Sequence, residues 1–351
     1  MYNKLQIIET DYNNKYLIKY GEKTMYVGFI IRDIIELLIK GNNKIEIHSI
    51  ISKKYSSDID LNSISDIIDN KINTFIEKKQ VKSFVKVTKL FNPSNIPIPK
   101  RLFEVFEPLF FYATIISFSL ISVFIYSFSN HHKLSSVSER FVFYPTLFAI
   151  LILHELGHSI CAKKNKVEVN EIGFGLYYIL PVFYVDLNES WKLDKNKRVI
   201  INLAGIYFQL IIGILLFLAS LLFKSQQNLL MNLFFSNFTI IILNLNPFLK
   251  FDGYWIMSDL LNVNDLNKVS NKIIKDFFKF EFNKERPILI GYSFLRMLFI
   301  SWILILLSKS FYSSIVLLFT TEHLKWYNFL PIGIMLFFLY RLLIPILNKM
   351  K

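Results

Sequence analysis

The chain has 351 residues, of which 53% are hydrophobic, 16% aromatic and 19% charged, against about 25% charged in an average soluble domain. So apolar a composition excludes a disordered protein, and a single cysteine, Cys161, excludes a disulfide scaffold. The net charge of +13 fits either a basic membrane protein or a nucleic-acid binder until the charges are located.

Residues 1–100 contain no apolar run of membrane-spanning length. Glu9, Asp11, Asn13 and Asn14 stand where the apolar core of a signal peptide would lie. The front is therefore expected to be a cytoplasmic domain. Tyr16 to Tyr20, a turn at Gly21-Glu22 and Thr24 to Val27 read as a hairpin. Ile31, Ile34, Ile35 and Leu38 recur at helical spacing, with Gly41 as the stop. A second helix is expected over about Lys44 to Lys54, and a third places Leu61, Ile64, Ile68, Ile72, Phe75 and Ile76 on one face. Alternation from Val81 to Val87 predicts a closing strand, which gives a winged-helix-like α+β domain over residues 1–90. Pro93, Pro97 and Pro99 mark an extended linker over residues 91–108.

Six apolar runs follow in residues 109–351, each near the ~20 residues that a span needs. They lie at Leu109–Ser129, Phe141–Ala162, Val199–Phe223, Leu229–Leu249, Pro287–Leu307 and Tyr327–Leu347. The segments between them alternate rich and poor in Lys and Arg. With the N-terminus inside, 33 of these residues fall on the cytoplasmic side and 5 outside, while Arg296 and Arg341 lie within apolar runs. The predicted fold class is thus a polytopic α-helical membrane protein of about six spans with both termini cytoplasmic. The charge is then a topology signal; residues 1–100 hold 16 basic and 11 acidic residues without a dense basic stripe, so no nucleic-acid partner is expected.

The second span contains His154-Glu155-Leu156-Gly157-His158. On a helix, residues four apart share a face, so both imidazoles can reach one zinc ion. Glu155 can take a proton from the attacking water and pass it to the leaving amine. A catalytic zinc takes a third protein ligand. The candidate is Asp252 in Asn246-Pro247-Phe248-Leu249-Lys250-Phe251-Asp252-Gly253, because the expected topology brings it to the cytoplasmic end of the fourth span, at the depth of His154 and His158.

These two motifs, in this order and at the ends of apolar spans, resemble the site-2 protease family of intramembrane zinc metallopeptidases. The resemblance implies His154, His158 and Asp252 as ligands of one Zn2+ per chain, Glu155 as the catalytic acid/base, and Asn246 as a residue that holds the substrate backbone. Asn244-Leu245-Asn246-Pro247, Asp252-Gly253-Tyr254-Trp255 and Pro181-Val182-Phe183-Tyr184-Val185-Asp186 look similar to a bacterial subgroup, the peptide zinc metalloproteases, which accompany ribosomally made, modified peptides. The likeness covers about Leu109 to Tyr340. The family's Ala-Gly-Pro turn and following Asn read here as Ala204-Gly205-Ile206 and Gln209, which puts a local kink and a substrate contact in doubt. Residues 167–187 resemble the family's membrane-reentrant β loop, and Gly173, Phe174 and Gly175 are expected on an edge strand that binds an unfolded substrate by strand addition. More weakly, Tyr16 to Val87 resembles the RiPP recognition element, a winged-helix domain that binds leader peptides.

Several residues stand aside from this picture. Cys161 lies on the zinc side of its helix, where a fourth ligand would close the site, but a small buried residue is the simpler reading. His131, His132 and His323 lack ligand spacing. Lys250 either snorkels to headgroups or changes the charge near the zinc. Arg296 pairs with a carboxylate, lines a substrate path, snorkels or marks a misplaced span boundary. The expectation is a multi-pass bacterial cell-membrane zinc metalloendopeptidase acting on a membrane-associated peptide or single-span protein in the lipid bilayer, with peptide maturation as a role and a peptide-modifying enzyme or exporter as a partner. The competing readings are a non-catalytic peptide-binding export or immunity partner and a membrane-tethered transcription regulator.

Overall fold

The computed structural model describes residues 2–11, 14–21, 23–55, 59–77, 84–99, 101–128, 137–177, 180–263, 265–281, 286–320, 329 and 332–333. The chain divides into two compact units, Met1–Asn262 and Val263–Lys351.

Unit one opens with a three-stranded antiparallel sheet of β1 (Leu5–Glu9), β2 (Tyr16–Tyr20) and β3 (Lys23–Val27). The expected hairpin is β2–β3, with Tyr16 opposite Val27. A further strand, β1, pairs with β2 through a turn in which Asn14 takes the left-handed conformation, one that Asn tolerates. Helices α1 (Phe29–Ile39) and α2 (Lys44–Tyr55) bury Ile34, Ile35 and Leu38, and Ile47 and Ile51, against the sheet. The third helical segment comprises α3 (Leu61–Asp66), a π-wound stretch (Ile67–Asn73) and α4 (Thr74–Glu77). Its buried residues Ile64, Ile68, Ile72 and Ile76 stand four apart, wider than the 3.6 residues of an α-helical turn. The looser π winding, with its i→i+5 bonding, keeps that stripe facing one core.

The expected closing strand does not complete this sheet. Residues 81–83 lie outside the described residues, and β4 (Phe84–Phe91) pairs instead with β5 (Ile172–Tyr177). Together with β6 (Leu180–Val185) they form a second antiparallel sheet in the order β4-β5-β6. The linker is also tied down. Lys163 Nζ donates to the carbonyls of Pro93 (2.7 Å) and Ile96 (3.2 Å), and Ser94 Oγ donates to that of Val169 (2.7 Å). A short helix, α5 (Arg101–Glu104), follows, and Lys164 bonds both Glu107 and the Phe103 carbonyl.

The helices α6 (Pro108–Phe128), α7 (Val137–Lys164), α8 (Lys195–Leu222), α9 (Gln227–Asn244) and α10 (Asp252–Leu261) complete unit one. Asp194 starts α8 by accepting from the backbone N–H groups of Asn196 and Lys197, the usual N-cap arrangement. Phe118, Ile206, Phe234 and Ile241 form the apolar contact among α6, α8 and α9. The front sheet rests on the segment before α8. The Tyr26 hydroxyl donates to the Trp191 carbonyl, the Asp11 N–H to that of Lys192 (2.8 Å), and Lys197 pairs with Asp11 at 2.7 Å.

Unit two contains α11 (Leu266–Phe278) and α12 (Pro287–Thr320). Among the described residues, three helices are long and apolar enough to cross a membrane: Glu139–Lys164, Lys195–Leu222 and Pro287–Val316. Pro108–Val123 is a shorter apolar helix. The fourth expected span coincides with α9, whose Gln227, Asn228, Asn232, Asn237 and Asn244 make it more polar. Most of the sixth expected span, Tyr327–Leu347, lies outside the described residues, as do His131, His132 and His323.

Candidate metal centre

His154 and His158 lie one turn apart on α7, both nearly fully buried, with ring centroids 4.7 Å apart. Their outer nitrogens are spoken for by α8. His158 Nδ1 hydrogen-bonds the Ile201 carbonyl at 2.7 Å, and His154 Nδ1 hydrogen-bonds Gln209 Oε1 at 2.9 Å. A carbonyl only accepts, so in each neutral ring Nδ1 carries the hydrogen and Nε2 presents a lone pair. The two Nε2 atoms face one another at 3.0 Å.

Asp252 completes the group from the start of α10. The chain reaches it through an Asn-Pro turn: Asn246 Oδ1 accepts from the N–H groups of Phe248 (2.9 Å) and Leu249 (3.2 Å), and Pro247 cannot continue α9. A Cβ on Gly253 would lie 2.2 Å from the Leu245 carbonyl oxygen, so glycine after Asp252 lets α10 start hard against the end of α9. Seven residues along α10, Asp259 meets Arg198 of α8. Arg198 Nε donates to Asp259 Oδ1 at 2.7 Å, and Asn202 Nδ2 to Oδ2 at 3.2 Å. Both charged side chains are about 5% exposed, and Arg198 also bonds the Leu193 carbonyl at 2.8 Å. Loss of one partner from such a buried pair typically costs about 3–5 kcal/mol, so α10 is anchored firmly to α8.

Asp252 Oδ2 thereby lies 3.0 Å from His154 Nε2, and Oδ1 lies 3.4 Å from His158 Nε2. Oδ2 is buried and has no hydrogen-bond partner. With both rings neutral, three lone-pair-bearing groups converge here, an arrangement that a bound cation stabilises. Tetrahedral zinc with bonds of about 2.0–2.2 Å sets its ligand atoms roughly 3.3 Å apart, close to the distances seen. Two histidines and one carboxylate leave a fourth position for water, the pattern of a catalytic site. Glu155, next to His154 and 9% exposed, is placed beside this group without belonging to it.

The other sequence candidates are sorted by the same geometry. Cys161 packs with Ala162, Val167, Val169 and Ile201 and is not in the ligand group. Lys250 Nζ stands 5.8 Å from the centre of the Tyr254 ring. The Asn246 side-chain oxygen, Oδ1, is engaged in its own turn. Gly173, Phe174 and Gly175 lie on β5, but β5 is the central strand, paired on both sides with β4 and β6. Its ladder bonds are used, so the expected edge moves to β6. Pro181 on β6 was the available signal, since proline is confined to edge strands.

Gln209, noted in the sequence only as a departure, orients His154, and the Arg198–Asp259 pair left no local sequence pattern. Outer partners of metal-bound histidines typically matter 10–100-fold for metal affinity. Gln209→Leu, which keeps size but loses the carbonyl, is expected to weaken zinc binding about tenfold in a chelator competition on purified protein. Unchanged affinity would remove Gln209 from this role.

Residues 142–228 match the Peptidase family M50 model. This segment includes His154, Glu155, His158 and Gln209 and ends before Asp252. The chain is 29% identical over 210 residues to the protein named "Putative peptide zinc metalloprotease protein YydH" of Bacillus subtilis (strain 168), covering 56% of this chain and 81% of that one. It is 33% identical over 134 residues to the zinc metalloprotease MJ0392 of Methanocaldococcus jannaschii, covering 36% of this chain and 38% of that one. No solved structure matches. The chain carries a Peptidase family M50 domain, the site-2 protease kind, and is a zinc metalloprotease.

Proposed function

We propose that this zinc metalloprotease hydrolyses a peptide bond of a membrane-associated peptide or single-span protein at the cytoplasmic end of its own membrane helices. Maturation of a ribosomally made, modified peptide is its role. The observation that carries the reading is the convergence of His154, His158 and Asp252 beside Glu155, on a helix apolar enough to span a bilayer. The relative named as a peptide zinc metalloprotease supports a peptide substrate. The 33-to-5 division of basic residues supports six spans with cytoplasmic termini.

His154, His158 and Asp252 would hold the zinc, which when bound supplies Lewis-acid polarisation of a carbonyl and an acidified water. His154 and His158 are kept in their ligating tautomers by Gln209 and Ile201. The Glu155 carboxylate takes a proton from the attacking water and delivers it to the amide nitrogen that leaves. An extended substrate is presented along the outer edge of β6, with which no strand pairs among the described residues. Ring contacts link that region to the site: Phe183 of β6 to Phe148 of α7 (5.9 Å), and Tyr177 to Phe251, next to Asp252 (5.8 Å). The front domain recruits the leader of the peptide, and its contacts on the segment before α8 support a link from recruitment to the site.

The test is cleavage by the full-length protein in nanodiscs of a short precursor peptide encoded beside its gene, followed by mass spectrometry. About one zinc per chain is expected, with cleavage stopped by a chelator and restored by zinc. Tight peptide binding without zinc and without cleavage would establish the non-catalytic reading instead.

A further inference from the structure

In unit two, α12 carries Arg296 at its tenth residue, inside an otherwise apolar run. Its guanidinium reaches α11, where one NH2 group donates to Asn271 Oδ1 at 2.7 Å and Ser270 Oγ at 3.3 Å. Arg296 Nε is buried and has no hydrogen-bond partner. No carboxylate is among these contacts. Lys275, one turn further along α11, lines the same groove of about 300 Å3, which Asn271, Ile274, Met297 and Ile300 also border. No acidic residue lines it. A charge within a span ordinarily pairs with an opposite charge or snorkels to the headgroups. Here two cations share one groove, and among the described residues no carboxylate lines it.

We infer that the α11–α12 groove binds the headgroup of an anionic phospholipid. The phosphate ester lies against Arg296 Nε, the buried donor without an acceptor, and Lys275 Nζ, with Asn271 at the rim. The source is a lipid rather than a free phosphate because Ile274, Met297 and Ile300 give the groove an apolar wall beside its cationic end, and because α12 is long and apolar enough to span a bilayer. Helix α11 matches that position: Leu266 and Ile273 are buried, Phe277 and Phe278 are exposed, and Lys268, Lys272 and Lys275 stand along it. Such a helix suits a membrane interface.

Native mass spectrometry of the full-length protein released from nanodiscs tests the assignment. Nanodiscs of mixed phosphatidylglycerol and phosphatidylcholine should yield protein that retains phosphatidylglycerol. Arg296→Gln and Lys275→Gln should each lower that retention about fivefold, while Lys268→Gln, outside the groove, should leave it unchanged. Millimolar inorganic phosphate should not displace the lipid. Should Arg296→Gln fail to fold, the exposed Lys275→Gln still decides the matter. No preference between the two lipids, undiminished retention in Lys275→Gln, or displacement by phosphate would each overturn the proposal.

Discussion

Glu155→Gln is expected to abolish proteolysis and leave the zinc in place. The metal group consists of His154, His158 and Asp252, so the substitution removes no ligand and changes no volume. It removes a carboxylate beside that group that can accept a proton. General acid–base catalysis contributes about 10²–10⁴-fold to rate, and each tenfold corresponds to about 1.4 kcal/mol. Cleavage should therefore fall by at least about 100-fold, with zinc still near one per chain by elemental analysis. Asp252→Asn offers the contrast: it should lose zinc and activity together. A Glu155→Gln protein that still cleaves its substrate would exclude Glu155 from proton transfer. One that loses zinc would place Glu155 among the ligands.

The pair His154 and His158 could be read from sequence because helical periodicity alone puts residues i and i+4 together. Asp252 needed one further step, the alternation of basic residues that sets which ends of the spans share a membrane face. Their meeting at 3.0–3.4 Å depends on matters that no local pattern shows: the Arg198–Asp259 anchor, and the close seating of Gly253 on Leu245. The front domain was partly legible for the same reason. Its apolar stripes recur at regular spacing, and Ile64, Ile68, Ile72 and Ile76 are all in the core. The partner of β4 was not legible, because strand pairing over more than 80 residues is a tertiary choice to which alternation within one strand is blind. That choice turned the expected edge strand around Gly173–Gly175 into a central one. Lys86 now crosses to Glu171 at 3.1 Å, tying the end of the front region to the loop after α7.

Gly205→Ala is expected to empty the metal site of a folded protein. Ile201, Gly205 and Gln209 stand four residues apart and so lie along one face of α8. The first offers its carbonyl to His158 Nδ1 and the last its amide oxygen to His154 Nδ1. The glycine between them leaves the space that the two rings occupy. A Cβ there would lie 2.3 Å from His158 Nε2 and 2.7 Å from His154 Nε2, well inside contact distance. The rings cannot simply turn away, because both are fastened to the helix that would carry the new methyl. Moving α8 outward takes Ile201 and Gln209 with it and pulls on the Arg198–Asp259 anchor. Overpacking of this kind costs about 1–3 kcal/mol, which corresponds to roughly 5–150-fold in zinc affinity. The upper end is expected because both nitrogens that bind the metal are displaced. Helix propensity acts in the opposite direction, since alanine favours a helix by about 1 kcal/mol over glycine. A general loss of stability is therefore not the expected outcome. Gly291→Ala, at a position in α12 where a Cβ meets nothing within 4 Å, should be neutral or slightly stabilising and keep its zinc. Chelator competition on the two purified variants separates the cases. Wild-type zinc affinity in Gly205→Ala would show that the metal is not held by the Nε2 atoms facing α8.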